Sequence, residues 1–405
     1  MVSRLSSDVL DPRFYEHLGE IPEALFDDRL YWSVQLVERY AREQAVELAG
    51  LLGLDRALDE AGERGTTSAE ALGRRGLAES VEDAVAWIFE QLASAGLLDA
   101  AGTPGKPGGR RFHGGGPLRP SHTAELREAA LEHDERNEPF LDLIDAAAEA
   151  LPRIAAGETT GEAALLGAAG IGRWARYFSN DNPVYALNNR LAAIAAAGRL
   201  PEDGAGRGTG MLEVGAGAGS ASAALLGLLE ERGHLDRTGR FRITEPAPLL
   251  RRRAERTLPR EHPAADLELA DLDIDRPWAE QGVAPGSLHL IYGVNVFHVA
   301  QDLGATLAEA FAALAPGGWL VAGECLRPRP GQPVAAELPF LLLEGFRNVE
   351  TDPELRPHSG FLTPELWVAN LERVGFGPVE VVPDVRVLRE FYPRITTGAL
   401  CGRKP

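Results

Sequence analysis

The sequence predicts an α/β protein, with a Rossmann-like seven-stranded sheet following an N-terminal helical region. Two observations carry this. After residue 205, short β-rich apolar runs alternate with helical patterns, the signature of a doubly wound sheet. Before it, apolar residues recur mainly at helical spacing for about two hundred residues. The chain has 405 residues, enough for two or three domains. We divide it into 1–120, helical; 121–204, a helical linker or lid; and 205–405, the sheet domain.

In the first region, 30–54 carries closely spaced apolar residues, Thr67 and Ser68 cap a short helix through Arg74, and 80–98 places Val81, Val85, Ile88, Phe89 and Leu92 at helical spacing. A Gly-, Pro- and Arg-rich stretch, 100–120, ends the pattern. Three helices followed by such a hairpin resemble a winged helix. In the second region, 126–151 reads as one acidic amphipathic helix, and Asn182-Pro183 marks a turn between two helical pieces. Tyr177, Phe178, Tyr185, Asn188 and Asn189 cluster there, either as a packed linker or as a lid closing on substrate. From these we take Tyr177, Tyr185 and Asn188 as substrate contacts. Residues 201–209 form the boundary. Strands are then expected at 210–214, 241–245, 266–270, 287–293 and 319–323. Pro316, Gly317 and Gly318 turn the chain into the last of these. A helix capped by Thr363 and stopped by Gly375 precedes a closing hairpin, 379–382 with 396–401.

A net charge of −19 argues against nucleic acid or an anionic membrane as partner. The two cysteines, Cys325 and Cys401, form no disulfide framework and no zinc spacing, so no metal is expected and a reducing, cytoplasmic setting is the simple reading. The sequence shows no signal-peptide pattern and no uncharged apolar run long enough to span a bilayer.

The chemistry concentrates at strand ends. MLEVGAGAGSASAALL, from Met211, is a buried strand, a tight glycine turn and the start of a helix. Gly215, Gly217 and Gly219 let the backbone turn sharply and approach a ligand. The third glycine comes one residue too early for a dinucleotide fingerprint. Glu213 before the turn would repel a pyrophosphate but suits a ligand carrying an ammonium and a sulfonium. S-adenosylmethionine has both, and is preferred over a nicotinamide or flavin. Glu245 ends the second strand, where an acid grips ribose hydroxyls. Asp273, or equally Asp271, is placed to accept from an adenine amino group. In LHLIYGVNVFH, the fourth strand runs into a loop with Asn295 and His298. Glu324 ends the neighbouring strand, so a carboxylate and an imidazole are expected side by side, as a base and the group that orients it.

The pieces LEVGAGAGSASAALL, LDIDRPWAEQGVAPGSLHLI, NVFHVAQDLGATL and LAPGGWLVAGE resemble the C-methyltransferase domains of polyketide synthases, as does the tail HSGFLTPELWVANLERVGF. The resemblance implies a class I methyltransferase with His298 as base and Glu324 as its partner. Glu245 departs from it, since the family usually has Asp there. The N-terminal third resembles instead the dimerisation domain of small-molecule O-methyltransferases, which also place a histidine base after the fourth strand. We therefore expect a discrete, homodimeric S-adenosylmethionine-dependent enzyme of natural-product biosynthesis. Its expected reaction is methylation of an acidic carbon in a polyketide-like or carrier-bound β-keto substrate. Tyr185 or Asn295 would donate to the enolate oxygen, and Asn295 also lies within reach of the cofactor. O-methylation of a phenol, enol or carboxylate is the alternative. A non-methylating use of the same cofactor ranks third.

Overall fold

A computed structural model describes residues 10–102, 110–114, 118–201 and 210–405. The N-terminal region builds from the 24-residue helix Asp28–Leu51, whose start is capped by Asp27 accepting from Leu30 N–H. Helix Ser68–Arg75 begins with a capping box, Thr67 and Glu70 each bonding the other's backbone N–H, and ends at Gly76 in the left-handed region. Helix Glu82–Ser94 is the apolar one of this group, burying Val85, Trp87, Ile88, Phe89 and Leu92. Strands β1 (Asp99–Gly102) and β2 (Arg110–His113) pair antiparallel, and Phe112 bridges back to Thr66. Most of the expected 100–120 hairpin tip, 103–109 and 115–117, lies outside the described residues, as do the N-terminal residues 1–9.

The single helix expected over 126–151 is two, Thr123–His133 and Glu138–Ala155. The break is polar. Buried Asp134 pairs with Arg29 and Arg136, and buried Asn137 donates to Ser33 Oγ and to the Ala130 carbonyl. These side-chain bonds, to Arg29 and Ser33 on the first long helix as well as to near neighbours, hold the break open although the apolar spacing continues through it. Asn182 caps helix Pro183–Ala197, as the Asn-Pro signal suggests. The expected linker falls on residues 202–209, outside the described set.

The large sheet holds β3 (Gly210–Val214), β4 (Phe241–Thr244), β5 (Leu267–Ala270), β6 (Leu288–Val294), β7 (Leu314–Cys325), β8 (Val379–Val382) and β9 (Thr397–Arg403). Their order is β5-β4-β3-β6-β7-β9-β8; the first five are parallel, and β9 runs antiparallel to both β7 and β8. This is the expected seven-stranded arrangement. Most strand ends fall within one or two residues of expectation, and the start of β7 differs most. β7 begins at Leu314, and Pro316-Gly317-Gly318 is an irregularity inside its pairing with β6, not a turn before it: Leu288 pairs Leu314, whereas Leu290 pairs Trp319. Gly317 supplies the positive φ, 80°, that this irregularity needs.

Two apolar cores result. One covers the sheet and includes Leu10, Phe14, Leu18, Ile21 and Phe26 together with helix Pro183–Ala197. The other joins the N-terminal helices to Phe140–Ile154, Trp174 and Tyr177, and also to Val334–Phe346 and Phe361, which come from beyond β7. Among the described residues, no helix is long and apolar enough to cross a membrane.

Candidate active site

The carboxyl ends of β3, β4, β6 and β7 meet where the strand order reverses, the crevice in which open α/β sheets bind ligands. At β3 the turn holds Gly215, Gly217 and Gly219 at φ of 65°, 57° and 92°. A Cβ on Gly215 would sit 2.4 Å from Val296 Cγ2, so side-chain packing closes that position. A Cβ on Gly217 would meet nothing within 4 Å, leaving the loop's crown open to a ligand.

Glu213 is fully buried. Its Oε2 accepts from Ser222 Oγ at 2.5 Å, and its Oε1 has no hydrogen-bond partner. Burial, reinforced by Glu245 nearby, pushes its carboxyl up to about 8. A buried carboxylate oxygen without a partner calls for a donor from a ligand. It fits the cationic group expected here.

Glu245 follows β4. Its Oε2 accepts from Gly217 N–H and its Oε1 from Ala247 N–H, both at 2.8 Å. The carboxylate thus ties the glycine loop to the next strand, and each oxygen keeps a further lone pair. Asp273 is exposed beyond β5, accepting from Asp275 N–H at 3.0 Å. Asn180, which sequence reasoning did not single out, donates to the Ser220 carbonyl at 2.8 Å and accepts from Asn189 Nδ2 at 2.8 Å. It brings the loop before Pro183 down onto the start of the glycine-loop helix; its position in SNDNP was the available signal.

The structure brings His298 and Glu324 together. His298 Nδ1 lies 2.6 Å from Glu324 Oε2, and Glu324 Oε1 accepts from Phe297 N–H at 3.0 Å. Both are buried, His298 at 3% exposure and Glu324 at none. The rings of Phe361 and Phe346 stand edge-on to the imidazole at 4.9 and 5.6 Å. These continue through Phe340 to Tyr177, Phe178 and Tyr185 as one aromatic wall. The sequence showed the two ends of this wall but not Phe340, Phe346 and Phe361 between them.

Asn295 takes φ 54°, the one positive φ outside glycine among the described residues. Its N–H donates to the Gly323 carbonyl, while its Oδ1 accepts from Cys325 N–H at 2.8 Å and from Asn188 Nδ2 at 2.9 Å. It also hydrogen-bonds Tyr185, whose phenol burial holds well above its usual range and so protonated. These hydrogen bonds tie the ends of β6 and β7 to the helix carrying Asn188 and hold Asn295 in its left-handed conformation.

Tyr177, Tyr185, Asn188 and Cys325 line an apolar cavity shared with Val334–Ala336. Its wall also takes Leu30, Val34 and Glu38 from the first long helix, and Tyr392 and Arg394–Thr397 from the segment leading into β9. A wider polar cleft, edged by Arg42, Arg110 and Arg329, meets this cavity at Glu38 and Arg394, which line both. Arg394 Nη1 donates to Glu38 Oε2 at 3.4 Å.

Comparison with known proteins agrees with this layout. Residues 212–320 match the family described as a methyltransferase domain. The chain is 31% identical over 177 residues to highly reducing polyketide synthase 2 of Gibberella zeae, covering 42% of this chain and 7% of that protein. It is 28% identical over 288 residues to 3-methylorcinaldehyde synthase of Sarocladium schorii, covering 69% and 10%. The chain therefore spans a tenth or less of the length of these curated relatives. Among solved structures, the CurJ carbon methyltransferase superposes with a TM-score of 0.69 at 20% identity, over 97% of this chain and 96% of that one. The C-methyltransferase domain of the citrinin polyketide synthase gives 0.68 at 18%, over 98% and 99%. The trans-methyltransferase CalH, solved with S-adenosylhomocysteine, gives 0.57 at 19%, over 94% and 92%.

Residues 212–320 thus match a methyltransferase domain, and the sheet around them has the corresponding fold. More particularly, the chain has the fold of polyketide-synthase carbon methyltransferase domains along nearly its whole length.

Proposed function

We propose that this protein is an S-adenosylmethionine-dependent C-methyltransferase of natural-product biosynthesis, acting on an acidic carbon beside a carbonyl in a polyketide-like or carrier-bound β-keto substrate. The observation that carries the reading is the buried His298–Glu324 pair at the ends of β6 and β7, with the glycine loop and its unpartnered carboxylate at the end of neighbouring β3 and the rings of Phe346 and Phe361 against the imidazole.

Glu213, the Gly215–Gly219 loop, Glu245 and Asp273 would hold the cofactor, which supplies a methyl group already activated by its positive sulfur. Everything else falls to the chain. Glu324 accepts the Nδ1 proton of His298, which leaves the lone pair on Nε2. Nε2 then takes the proton from the substrate carbon, and Glu324 stabilises the imidazolium that forms. The Tyr185 phenol donates to the developing enolate oxygen, and Asn295 keeps it oriented. Phe346 and Phe361 keep water from the base. The meeting of a polar surface cleft with the apolar cavity at Glu38 and Arg394 supports a substrate whose polar tether stays outside.

The test is turnover of methyl-¹³C-labelled cofactor with a β-ketoacyl thioester, the product read by NMR. A new C–CH₃ signal is expected; an O–CH₃ signal sinks the carbon assignment. His298→Ala should lose about 10²–10⁴-fold in kcat while still binding S-adenosylhomocysteine, and Glu324→Gln should be slowed less. Near-normal turnover by His298→Ala overturns the base.

The reading also includes a cytoplasmic homodimer joined through the winged-helix-like N-terminal region. Leu51, 65% exposed at the end of the first long helix, supports an apolar contact there. Light scattering at micromolar concentration should give twice the chain mass; a monomer removes this part.

A further inference from the structure

Beyond the residues that face substrate, the base is held from a second side. His298 sits in the short 3-10 turn Phe297–Val299, whose end leaves backbone carbonyls without helical partners. A single buried side chain takes them up. Arg356, 3% exposed, donates from Nη2 to the His298 carbonyl at 2.7 Å and from Nη1 to the Ala300 carbonyl at 2.6 Å, with a longer contact to Gln301 at 3.4 Å. The arginine is itself fixed. Its backbone exchanges two 2.9 Å hydrogen bonds with Asp352, and Asn370 Nδ2 grips the neighbouring Leu355 carbonyl at 2.8 Å. Asp275, Asp302 and Glu324 supply the opposing charge that keeps a buried guanidinium tolerable.

We propose that Arg356 is a positioning residue for the base: it clamps the main chain of His298 while Glu324 clamps the ring, and the two together set the imidazole's aim. Each clamp removes a different freedom. Glu324 fixes the direction of Nδ1 and, through Phe297 N–H, the start of the turn, but it leaves the carbonyl end of the turn unheld. Arg356 pins the carbonyl of His298 itself, so the ring cannot slide along the carboxylate. Without the guanidinium, the carbonyls of residues 298 and 300 lose their shared donor inside the protein, and the turn must relax to rehydrate them. A displacement of about 1 Å at a reacting group can cost about 10²-fold in rate. The substitution touches no part of the glycine loop, so cofactor affinity should not move.

The inference rests on the reading of His298 as base, and the test separates the two. Arg356→Gln and Arg356→Lys are compared with the parent enzyme in three measurements: S-adenosylhomocysteine affinity, kcat and KM with a β-ketoacyl thioester, and the far-downfield proton resonance of the His298–Glu324 hydrogen bond. Arg356→Gln should bind S-adenosylhomocysteine within about twofold of the parent and lose about 10²-fold in kcat, with the resonance shifted or lost. Arg356→Lys keeps the charge and one carbonyl contact, so it should recover part of both the rate and the resonance. An unmoved resonance in either folded variant overturns the clamp, whatever happens to turnover. Should Arg356→Gln fail to fold, Arg356→Lys decides alone: an unmoved resonance refutes the proposal. If the parent enzyme itself transfers no methyl group, the functional reading fails, and the resonance still decides the role of Arg356.

Discussion

Glu213 shows how one side chain can couple ligand binding to pH. Its carboxyl is held at about 8 by burial against a usual 4.5, so near neutrality the ligand-free protein keeps it protonated. A raised folded-state value contributes stability that is fully present below about 4.5 and is lost as pH rises through 8. A cationic ligand reverses the preference, because it favours the carboxylate. Binding of S-adenosylmethionine at pH 7 should therefore release close to one proton. Affinity should rise about tenfold per pH unit toward 8 and then level. Calorimetry in two buffers of different ionisation heat reads the proton directly; no release at pH 7 removes Glu213 from cofactor binding. Much of this site was legible as residues: the acid before the glycines, His298 after β6 and Glu324 at the end of β7 all stand at strand ends, where spacing alone places them. Arg356 was not legible. It acts through backbone carbonyls 58 residues back, and a donor to main-chain groups leaves no pattern in the sequence.

Helix Pro183–Ala197 crosses close to the end of β7. The contact is between small residues: a Cβ on Gly323 would lie 2.6 Å from Ala192 Cβ. Gly323 also accepts the Asn295 N–H and immediately precedes Glu324, so the spacing of helix and strand sets where the carboxylate points. Gly323→Ala should overpack this crossing, costing about 1–3 kcal/mol and lowering kcat with it. Adding Ala192→Gly removes the opposing methyl and should return part of that loss despite a helix-interior glycine cost of about 0.5–1 kcal/mol. Thermal melts of the two single variants and the double form the cycle; strictly additive losses mean that the two positions do not press on one another. The elements here were easier to read than their ends. The Asn-Pro cap and the Gly375 stop are local signals and fell where spacing put them. The split at Asp134–Asn137 and the early start of β7 come from partners far away in sequence, Ser33 and Arg29 in one case and β6 in the other.

At the scale of the whole molecule, the sheet domain is completed by chain from outside it. Leu10, Phe14, Leu18, Ile21 and Phe26, with Leu187, Leu191 and Ile194, are buried in the sheet's own core. Conversely, Val334, Leu338, Leu341, Phe346 and Phe361 are buried against the N-terminal helices, with Trp87 Nε1 donating to the Val334 carbonyl at 2.9 Å. Burying an aliphatic or aromatic side chain is worth about 1.5–3 kcal/mol. The eight side chains from residues 10–194 therefore contribute on the order of 10–20 kcal/mol, an upper bound because the unfolded chain is itself compact. A typical domain keeps only about 5–15 kcal/mol in all. A fragment of residues 205–405 holds every strand of the seven-stranded sheet and every residue of the glycine loop, yet it loses this cover and exposes the face behind His298 as well. It should accumulate as a partly ordered species that binds a hydrophobic dye, lacks a sharp near-ultraviolet dichroism spectrum and fails to bind S-adenosylhomocysteine. A monomeric fragment with one cooperative urea transition and the full chain's affinity would show that the sheet carries its own stability, and that the N-terminal half serves substrate alone.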